Sequence, residues 1–363
     1  MFLTIIVFIL ILGLFIFVHE LGHFVFAKQA GIKVEEFGFG FPPRIFGIKR
    51  GETIYSLNLL PLGGFVRIFG EDRPEKSKAD DKRAFYNHSI KTRAKILIAG
   101  VAMNFLLAAF LLCFGYWIGL PAMITDNETA NLNDVKVQIT QVAYNSPAEQ
   151  AGIKMGDTIK ELKVENQRLE IGKIEDIQNF VEDYNGQEII VVIQRGGEVL
   201  EKTLTPRIEH PENEGPLGIA LARTAIISYP WYSAIFRGIS SAISLTWFII
   251  IALFGIFWEL FTRGQLTTEI AGPVGIFNLT GQATKLGFIY VLQLAALLNI
   301  NLAIINSLPF PALDGGRLLF LAIEKIKGSP VSHKVERIAH TAGFVILILL
   351  MVAVTWRDIV RVF

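Results

Sequence analysis

His19-Glu20-Leu21-Gly22-His23 forms an H-E-x-x-H motif, the pattern in this chain with the clearest chemical meaning. Residues four apart share one face of a helix, so both imidazoles can bind one Zn²⁺ while Glu20 acts on a water molecule. The alternative is a helix that turns two polar side chains towards a neighbour. The motif follows an apolar run, and ionisable side chains within membrane spans are rare and usually functional. The sequence therefore predicts a zinc site.

The apolar run Met1 to Val18 positions this motif. It has no basic leader and no small-residue cleavage site, which favours a retained span over a signal peptide. His19 follows about 18 residues, or roughly 27 Å of helix, after the start of the run. We therefore expect the motif near the far, inner face of the bilayer.

A catalytic zinc site needs a third protein ligand and keeps one position for water. Asp314 meets that need, because two prolines and two glycines break the apolar run around it, in Asn306 to Gly316. Such a break is tolerated at membrane depth only inside protein or beside water. The alternative is a helix-ending loop with a solvated aspartate. Poorer candidates are the remaining histidines, His88, His210, His333 and His340.

The composition identifies an integral membrane protein with room for several spans and one soluble domain. Of the 363 residues, 52% are hydrophobic and only 18% are charged, against roughly 25% charged in soluble domains. The balance of 34 basic and 33 acidic residues gives no basic field for nucleic acid. Cys113 is the single cysteine and cannot form an internal disulfide.

Four charge-free runs predict transmembrane helices, and the charge of the segments between them predicts their direction. Residues 28–95 carry 14 basic and 8 acidic residues, whereas residues 122–229 carry 10 basic and 18 acidic residues. Because positive loops stay in the cytoplasm, the N-terminus and the acidic segment are expected outside. The predicted runs are Met1 to Val18, Ile96 to Thr125, Leu286 to Leu313 and Ile338 to Trp356.

The apolar segment Gly238 to Trp258 is ambiguous. If Glu20 and Asp314 meet at one metal, the first and third runs both go from outside to inside. One further complete crossing would invert the third run. We therefore expect residues 230–285 to lie along the outer interface or to re-enter, and Arg237 and nearby serine and tryptophan residues suit an interface.

These expectations give a polytopic α-helical membrane protein with about four transmembrane helices, a cytoplasmic-side β-hairpin and an inserted α+β domain. The predicted parts are a first helix with the motif (1–27), a cytoplasmic loop (28–95), a second helix (96–121), an exterior domain (122–229), the ambiguous segment (230–285), a third helix with its extension (286–328) and a last helix (329–363).

Several motifs together resemble the site-2 protease family of intramembrane zinc metalloproteases, in particular its bacterial RseP-like members of the regulator of sigma-E protease type. The resemblance covers essentially the whole chain. The motifs that carry it are His19 to His23, Leu62-Gly63-Gly64-Phe65, Gly272-Pro273-Val274-Gly275-Ile276, and Asn306 to Asp314 with its Pro-x-Pro and Leu-Asp-Gly-Gly.

The resemblance implies that His19, His23 and Asp314 bind one Zn²⁺ per chain and that Glu20 is the general base. It also implies that Asn301 and Asn306 hold substrate backbone or the developing oxyanion. The alternative for these two asparagines is hydrogen bonding between helices, which is common for asparagine in spans.

Two further regions are assigned through the resemblance. The alternating stretch Thr53 to Ile68 is similar to a membrane-associated β-hairpin whose edge, at Leu62, Gly63, Gly64 and Phe65, pairs with an unwound substrate; the alternative is a plain cytoplasmic hairpin. Ser146 to Ile159 and Gly215-Pro216-Leu217-Gly218-Ile219 resemble a PDZ domain of permuted order. That domain would capture an extended tail or a peptide C-terminus, or else act as a steric lid.

The expected function is hydrolysis of peptide bonds in or near the transmembrane helix of single-pass proteins in the bacterial cytoplasmic (inner) membrane. The resemblance suggests pre-trimmed anti-sigma factors or remnant signal peptides as substrates, and a preceding site-1 protease that acts on the same substrate. Three alternatives remain: a non-catalytic adaptor with structural zinc, a zinc protease for soluble or unfolded loops, and a transporter. The adaptor has no use for a general base, and the spans do not divide into inverted halves as transporters often do.

Overall fold

The computed structural model describes residues 1–71, 82–126, 132–165, 167–211, 214–263 and 272–362. The chain divides into two compact units. We call Met1–Cys113 with Phe236–Phe363 the helical unit, and Phe114–Ile235 the sheet unit.

The helices and strands fall into three consecutive parts of the chain. The first part contains α1 Phe2–Gln29, β1 Val34–Arg50, β2 Thr53–Ile68, a short 3-10 helix Phe85–Asn87 and α2 Ile90–Ile118. The middle part contains β3 Leu120–Met123, β4 Leu132–Val142, α3 Pro147–Gln150, β5 Thr158–Val164, β6 Gln167–Glu170, α4 Ile174–Asp183, β7 Ile189–Arg195, β8 Glu198–Leu204 and β9 Ile219–Ile227. The last part contains α5 Trp231–Arg263, α6 Pro273–Leu286, α7 Phe288–Ser307, α8 Asp314–Lys327 and α9 His333–Val362.

In the described residues, five helices are long and apolar enough to cross a membrane: α1, α2, α5, α7 and α9. A span needs about 20 apolar residues, and α5 has 33 residues in one unbroken helix. The chain is thus a multi-pass membrane protein by its helices, whereas the predicted count of about four is not confirmed.

The helix α6 runs antiparallel to α1. Phe277 of α6 packs edge-on against Phe8 of α1, with ring centroids 5.5 Å apart, and Gly281 lies against Thr4. Residues later in α6 therefore contact residues earlier in α1, so these two helices are antiparallel. Because α7 begins where α6 ends and leads to Asp314 beside the motif, α7 runs in the same direction as α1, which is the direction expected from the sequence.

The direction of α6 bears on the ambiguous segment. If residues 230–285 crossed the membrane once as a single segment, the next helix, α7, would run in the opposite direction. With α6 as a return helix of 14 residues, a crossing by α5 is compatible with the direction of α7. The interfacial or re-entrant placement of this segment therefore stays a prediction.

The strands β1 and β2 form a long hairpin that folds over on itself. Residues 36–39 pair with 64–67 on one side and with 54–57 on the other, while residues 44–50 pair with 53–58. The order across this small sheet is therefore 64–68, 34–39, 53–58, 44–50. No other described strand pairs with 64–68, which leaves that segment at an edge.

The hairpin follows α1 from its C-terminal end towards its middle. Lys28 Nζ donates to Glu52 Oε1 at 2.7 Å, and this bond lowers the pKa of the Glu52 carboxyl in the turn between the strands. Further along, Phe37 packs on Phe17, and Phe39 lies against Gly13. The contact extends along α1 from Lys28 to Gly13, which is 15 residues or about 22 Å of helix.

The sheet unit is an antiparallel sheet with two short helices. The strand order is β3-β9-β4-β5-β7-β8, and β6 pairs with β5. Its core is apolar and includes Ile139, Leu162, Ile177 and Ile193. Arg195 donates to both carboxylate oxygens of Asp157, at 2.7 and 2.8 Å, so a buried aspartate is paired. The PDZ assignment of this unit stays a prediction.

Candidate metal centre

Three side chains from two helices converge at one point. His19 Nε2 lies 2.9 Å and His23 Nε2 lies 3.3 Å from Asp314 Oδ2, and the two Nε2 atoms are 3.2 Å apart. The histidines are one turn apart on α1, and Asp314 is the first residue of α8. The three groups predicted as ligands are thus brought together in the structure.

Close packing at the start of α8 places the aspartate. A Cβ on Gly315 would lie 2.1 Å from the backbone oxygen of Leu308, and one on Gly316 would lie 2.3 Å from that of Phe310. Only glycine lets the first turn of α8 pack so tightly on the Pro-containing loop before it. The loop is also held from α9, because the Ala312 N–H donates to His340 Nδ1 at 2.9 Å. His340 is therefore a support of the loop, a role that sequence reasoning missed.

The donor set fits a zinc ion. When the imidazole protons are on Nδ1, the two Nε2 atoms and the carboxylate oxygen are all acceptors and do not satisfy one another, whereas a cation satisfies all three. Asp314 Oδ2 is buried and has no hydrogen-bond partner in the described part of the chain. The adjoining helix α2 leaves room for the histidine rings because residue 100 is glycine. A Cβ on Gly100 would lie only 2.4 Å from His23 Nε2.

One face of α2 lies behind the two histidines. Ile96, Gly100 and Asn104 are spaced by four residues and so share a face. The backbone oxygen of Ile96 is 2.8 Å from His23 Nδ1, and the Asn104 amide is 3.2 Å from His19 Nδ1. Sequence reasoning did not select these residues. The available signal was an asparagine within an otherwise apolar predicted span.

A cavity of about 220 Å³ opens beside the centre. It is lined by His19, Glu20 and Asp314 together with Phe65, Val66 and Ile68 at the end of β2. Gly64 also lies close to the Glu20 side chain. The edge segment of the hairpin is therefore next to the predicted general base. Leu62 belongs to β2, but its side chain lies outside the described residues, and Gly63 is not among the lining residues.

A second ion pair borders this cavity. Arg317, one turn after Asp314, pairs with Glu71 beyond the end of β2, and both line the cavity. No sequence pattern connects these two residues, because they are far apart along the chain.

The two asparagines expected to bind substrate are not among the residues that line the cavity. Asn301 Nδ2 donates to the backbone oxygen of Leu297 in its own helix, at 3.1 Å. Asn306 lies at the end of α7, one residue before its last. Both are partly exposed, whereas Asn299 is fully buried and donates to the backbone oxygen of Asn104. The roles of Asn301 and Asn306 stay predictions.

Comparison with known proteins identifies the family. The model of peptidase family M50 matches residues 7–350. The zinc metalloprotease RasP of Oceanobacillus iheyensis and the regulator of sigma-W protease RasP of Bacillus subtilis are each 32% identical over 99% of both chains. A putative zinc metalloprotease of Clostridium acetobutylicum is 35% identical over 99% of this chain and 98% of that protein.

A multi-pass helical protein whose H-E-x-x-H motif meets an aspartate from a second helix is of the membrane-bound zinc metalloprotease class. The chain belongs to peptidase family M50, the site-2 protease family, over nearly its full length. It is thus a zinc-dependent metalloprotease, which confirms the predicted enzyme class and cofactor and rejects the adaptor and transporter alternatives.

Proposed function

We propose that this protease cleaves peptide bonds in or near the transmembrane helix of single-pass membrane proteins. The observation that carries the proposal is the convergence of His19, His23 and Asp314 at the end of an apolar helix, beside a cavity that Glu20 lines. A bound Zn²⁺ supplies a Lewis acid that polarises the scissile carbonyl and makes water more acidic.

The residues of the chain have separate roles in this proposal. His19, His23 and Asp314 hold the metal, and Glu20 takes the proton of the attacking water and passes it to the leaving amine. Asn301 and Asn306 orient the substrate backbone or donate to the oxyanion. The loop 308–313 keeps Asp314 in place through the packing of Gly315 and Gly316.

The edge of the hairpin supports a substrate in extended form. A helix hides its peptide groups, so a transmembrane substrate must unwind before hydrolysis, and strand addition stabilises the unwound form. The segment 64–68 has β1 on one side and borders the catalytic cavity through Phe65 and Val66. We therefore assign the substrate strand to this edge, near Gly63, Gly64 and Phe65.

The polarity of the hairpin supports its location in the membrane. Its buried side chains include the polar residues Glu36, Thr53, Ser56 and Asn58, whereas large apolar side chains are exposed between the cations of β1 and β2. Water would favour the opposite arrangement. Together with its contact along α1, this favours a hairpin in lipid over a plain cytoplasmic one. The exposed apolar side chains are Ile45, Phe46, Ile48, Leu57, Leu59 and Leu60.

The proposed biological setting follows the relatives. The name of the Bacillus subtilis relative connects that protein with regulation of sigma-W. We infer that this chain acts on pre-trimmed anti-sigma factors or remnant signal peptides, after a site-1 protease. We place it in the bacterial cytoplasmic membrane, with the N-terminus and sheet unit outside. The sheet unit, as a PDZ domain, would receive a peptide C-terminus or exclude large exterior domains.

The test is cleavage of a single-pass reporter with a trimmed exterior part, by the wild type and by Glu20→Gln. General acid–base groups contribute about 10²–10⁴-fold, so cleavage should fall by that factor while zinc content stays the same. Glu170→Gln, at an exposed residue of β6, is the matched control and should cleave normally. Equal cleavage by wild type and Glu20→Gln would refute the role of Glu20. Equal cleavage of a soluble peptide without a span would refute the substrate class.

A further inference from the structure

The ring nitrogens that point away from the centre decide how the histidines can bind metal. In a neutral imidazole one nitrogen carries the proton and the other has a free lone pair. His23 Nδ1 lies 2.8 Å from the backbone oxygen of Ile96, which can only accept a hydrogen bond. His23 therefore carries its proton on Nδ1, and its Nε2 is free to bind the metal.

His19 needs the same arrangement, and its neighbour is a side-chain amide. The Asn104 amide lies 3.2 Å from His19 Nδ1, with Nδ2 as its nearer atom. An N–H group on Nδ1 cannot bond to an NH₂ group, since both are donors. Rotation of the amide by 180° replaces Nδ2 by Oδ1, which accepts this hydrogen bond, and the shape of the amide is nearly unchanged.

The surroundings of Asn104 favour the rotated amide. In the unrotated form, Asn104 Oδ1 and Asn299 Oδ1 are both buried without a hydrogen-bond partner in the described residues. Asn299 lies next to Asn104, because its Nδ2 donates to the Asn104 backbone oxygen at 2.7 Å. Rotation lets Asn104 Oδ1 accept the proton of His19 Nδ1, so that this buried oxygen gains a partner. Buried polar groups are nearly always paired, which favours the rotated amide.

We infer that Asn104 is a positioning residue for the metal centre: its Oδ1 accepts the His19 Nδ1 proton and keeps His19 Nε2 free and directed at the metal. Asn299 of α7 supports it from the other side. This inference rests on the proposed zinc site. Residues that hold metal-ligating histidines in this way commonly contribute 10- to 100-fold to metal affinity.

The competing role is structural. Asparagine often joins transmembrane helices through hydrogen bonds, and Asn104 and Asn299 do join α2 to α7. A structural role predicts lower stability of the metal-free protein. A positioning role predicts weaker zinc binding while the metal-free protein keeps its stability.

The experiment measures zinc affinity of the full-length protein in detergent, by competition with a chromogenic chelator. Asn104→Leu keeps the size of the side chain but removes the acceptor, and should weaken zinc binding about 10- to 100-fold. Asn104→Asp keeps an acceptor and should bind zinc within about threefold of the wild type, since carboxylate partners of zinc histidines are common. Gln293→Leu, at an exposed polar residue of α7, is the control in a similarly apolar helix and should leave zinc affinity unchanged.

Wild-type zinc affinity in Asn104→Leu would overturn the inference. Equal losses of zinc affinity in Asn104→Leu and Asn104→Asp would overturn it too, if both metal-free variants melt in chelator at the temperature of the wild type, because the acceptor in Asn104→Asp would then have no effect. Should either variant fail to fold, histidine ¹⁵N spectra of the wild type decide: a protonated His19 Nδ1 supports the inference and an unprotonated one refutes it. His19→Ala separates the inference from the proposed function. Undiminished zinc binding in that variant would refute the zinc site itself.

Discussion

The helical unit and the sheet unit differ in what they expose and in which polar side chains they bury. The core of the sheet unit is apolar, and its buried Asp157 is paired with Arg195. The helical unit instead exposes large apolar side chains along α1, α5 and α9, and it buries His19, His23, Asn104 and Asn299. In lipid, apolar exposure carries no cost, so burial in the helical unit is available for polar groups.

The difference teaches where function can be recognised. In the sheet unit, a buried residue is in most cases a packing residue, and its removal affects folding. In the helical unit, buried polar atoms without a hydrogen-bond partner in the described part of the chain include Asn104 Oδ1, Asn299 Oδ1 and Asp314 Oδ2, all around the metal centre. Asp314 Oδ2 lies beside both histidine Nε2 atoms, where a bound cation would satisfy it, whereas rotation of the Asn104 amide accounts for Asn104 Oδ1.

The largest expected effect is loss of the metal. His23→Ala removes one of the three proposed ligands, so the variant should lose stoichiometric zinc and all measurable cleavage. Metal analysis of the purified protein and the reporter assay check this. The sheet unit should melt as in the wild type, and a loss of its structure would contradict the functional separation of the two units. Restoration of activity by zinc after treatment with chelator is the wild-type control.

The second effect tests the opposite unit. Leu162→Ala removes a fully buried side chain from the sheet core, and such changes cost about 2–5 kcal/mol. The sheet unit should become sensitive to proteolysis at a lower temperature, whereas zinc content should stay at the wild-type value. Val199→Ala, at a side chain 65% exposed on β8, is the control with little effect. Loss of zinc in Leu162→Ala would show that the two units are not separable in this way.

The smallest effect compares two exposed apolar residues. Phe46 of the hairpin is 58% exposed and Val199 of the sheet unit is 65% exposed. If the hairpin is in lipid, Phe46→Glu should cost about 2.5–3.5 kcal/mol and reduce reporter cleavage. Val199→Glu should stay within about 0.5 kcal/mol of the wild type. Equal behaviour of the two variants, measured by cleavage and thermal melting, would argue for a hairpin in water.

Much of the fold was readable from local patterns. Long apolar runs predicted four of the five long helices, and the alternating stretch before Gly63-Gly64 predicted a strand of the hairpin. The segment around α5 was harder, since hydropathy favoured a span and the required direction of α7 opposed one. The helix α6 makes a crossing by α5 compatible with the direction of α7, but its 14 residues are too short to be recognised as a span from the sequence.

The sequence by itself predicted the enzyme class and the three side chains that converge in the structure, because H-E-x-x-H has a fixed helical geometry and the Pro- and Gly-broken run around Asp314 supplied a third candidate ligand. Only the tertiary structure decided which residues surround those ligands. Asn104, Asn299, His340 and the Glu71–Arg317 pair lie far from the motif along the chain. Their roles depend on how α2, α7, α8 and α9 pack, and contacts between distant segments leave no local pattern in a single sequence.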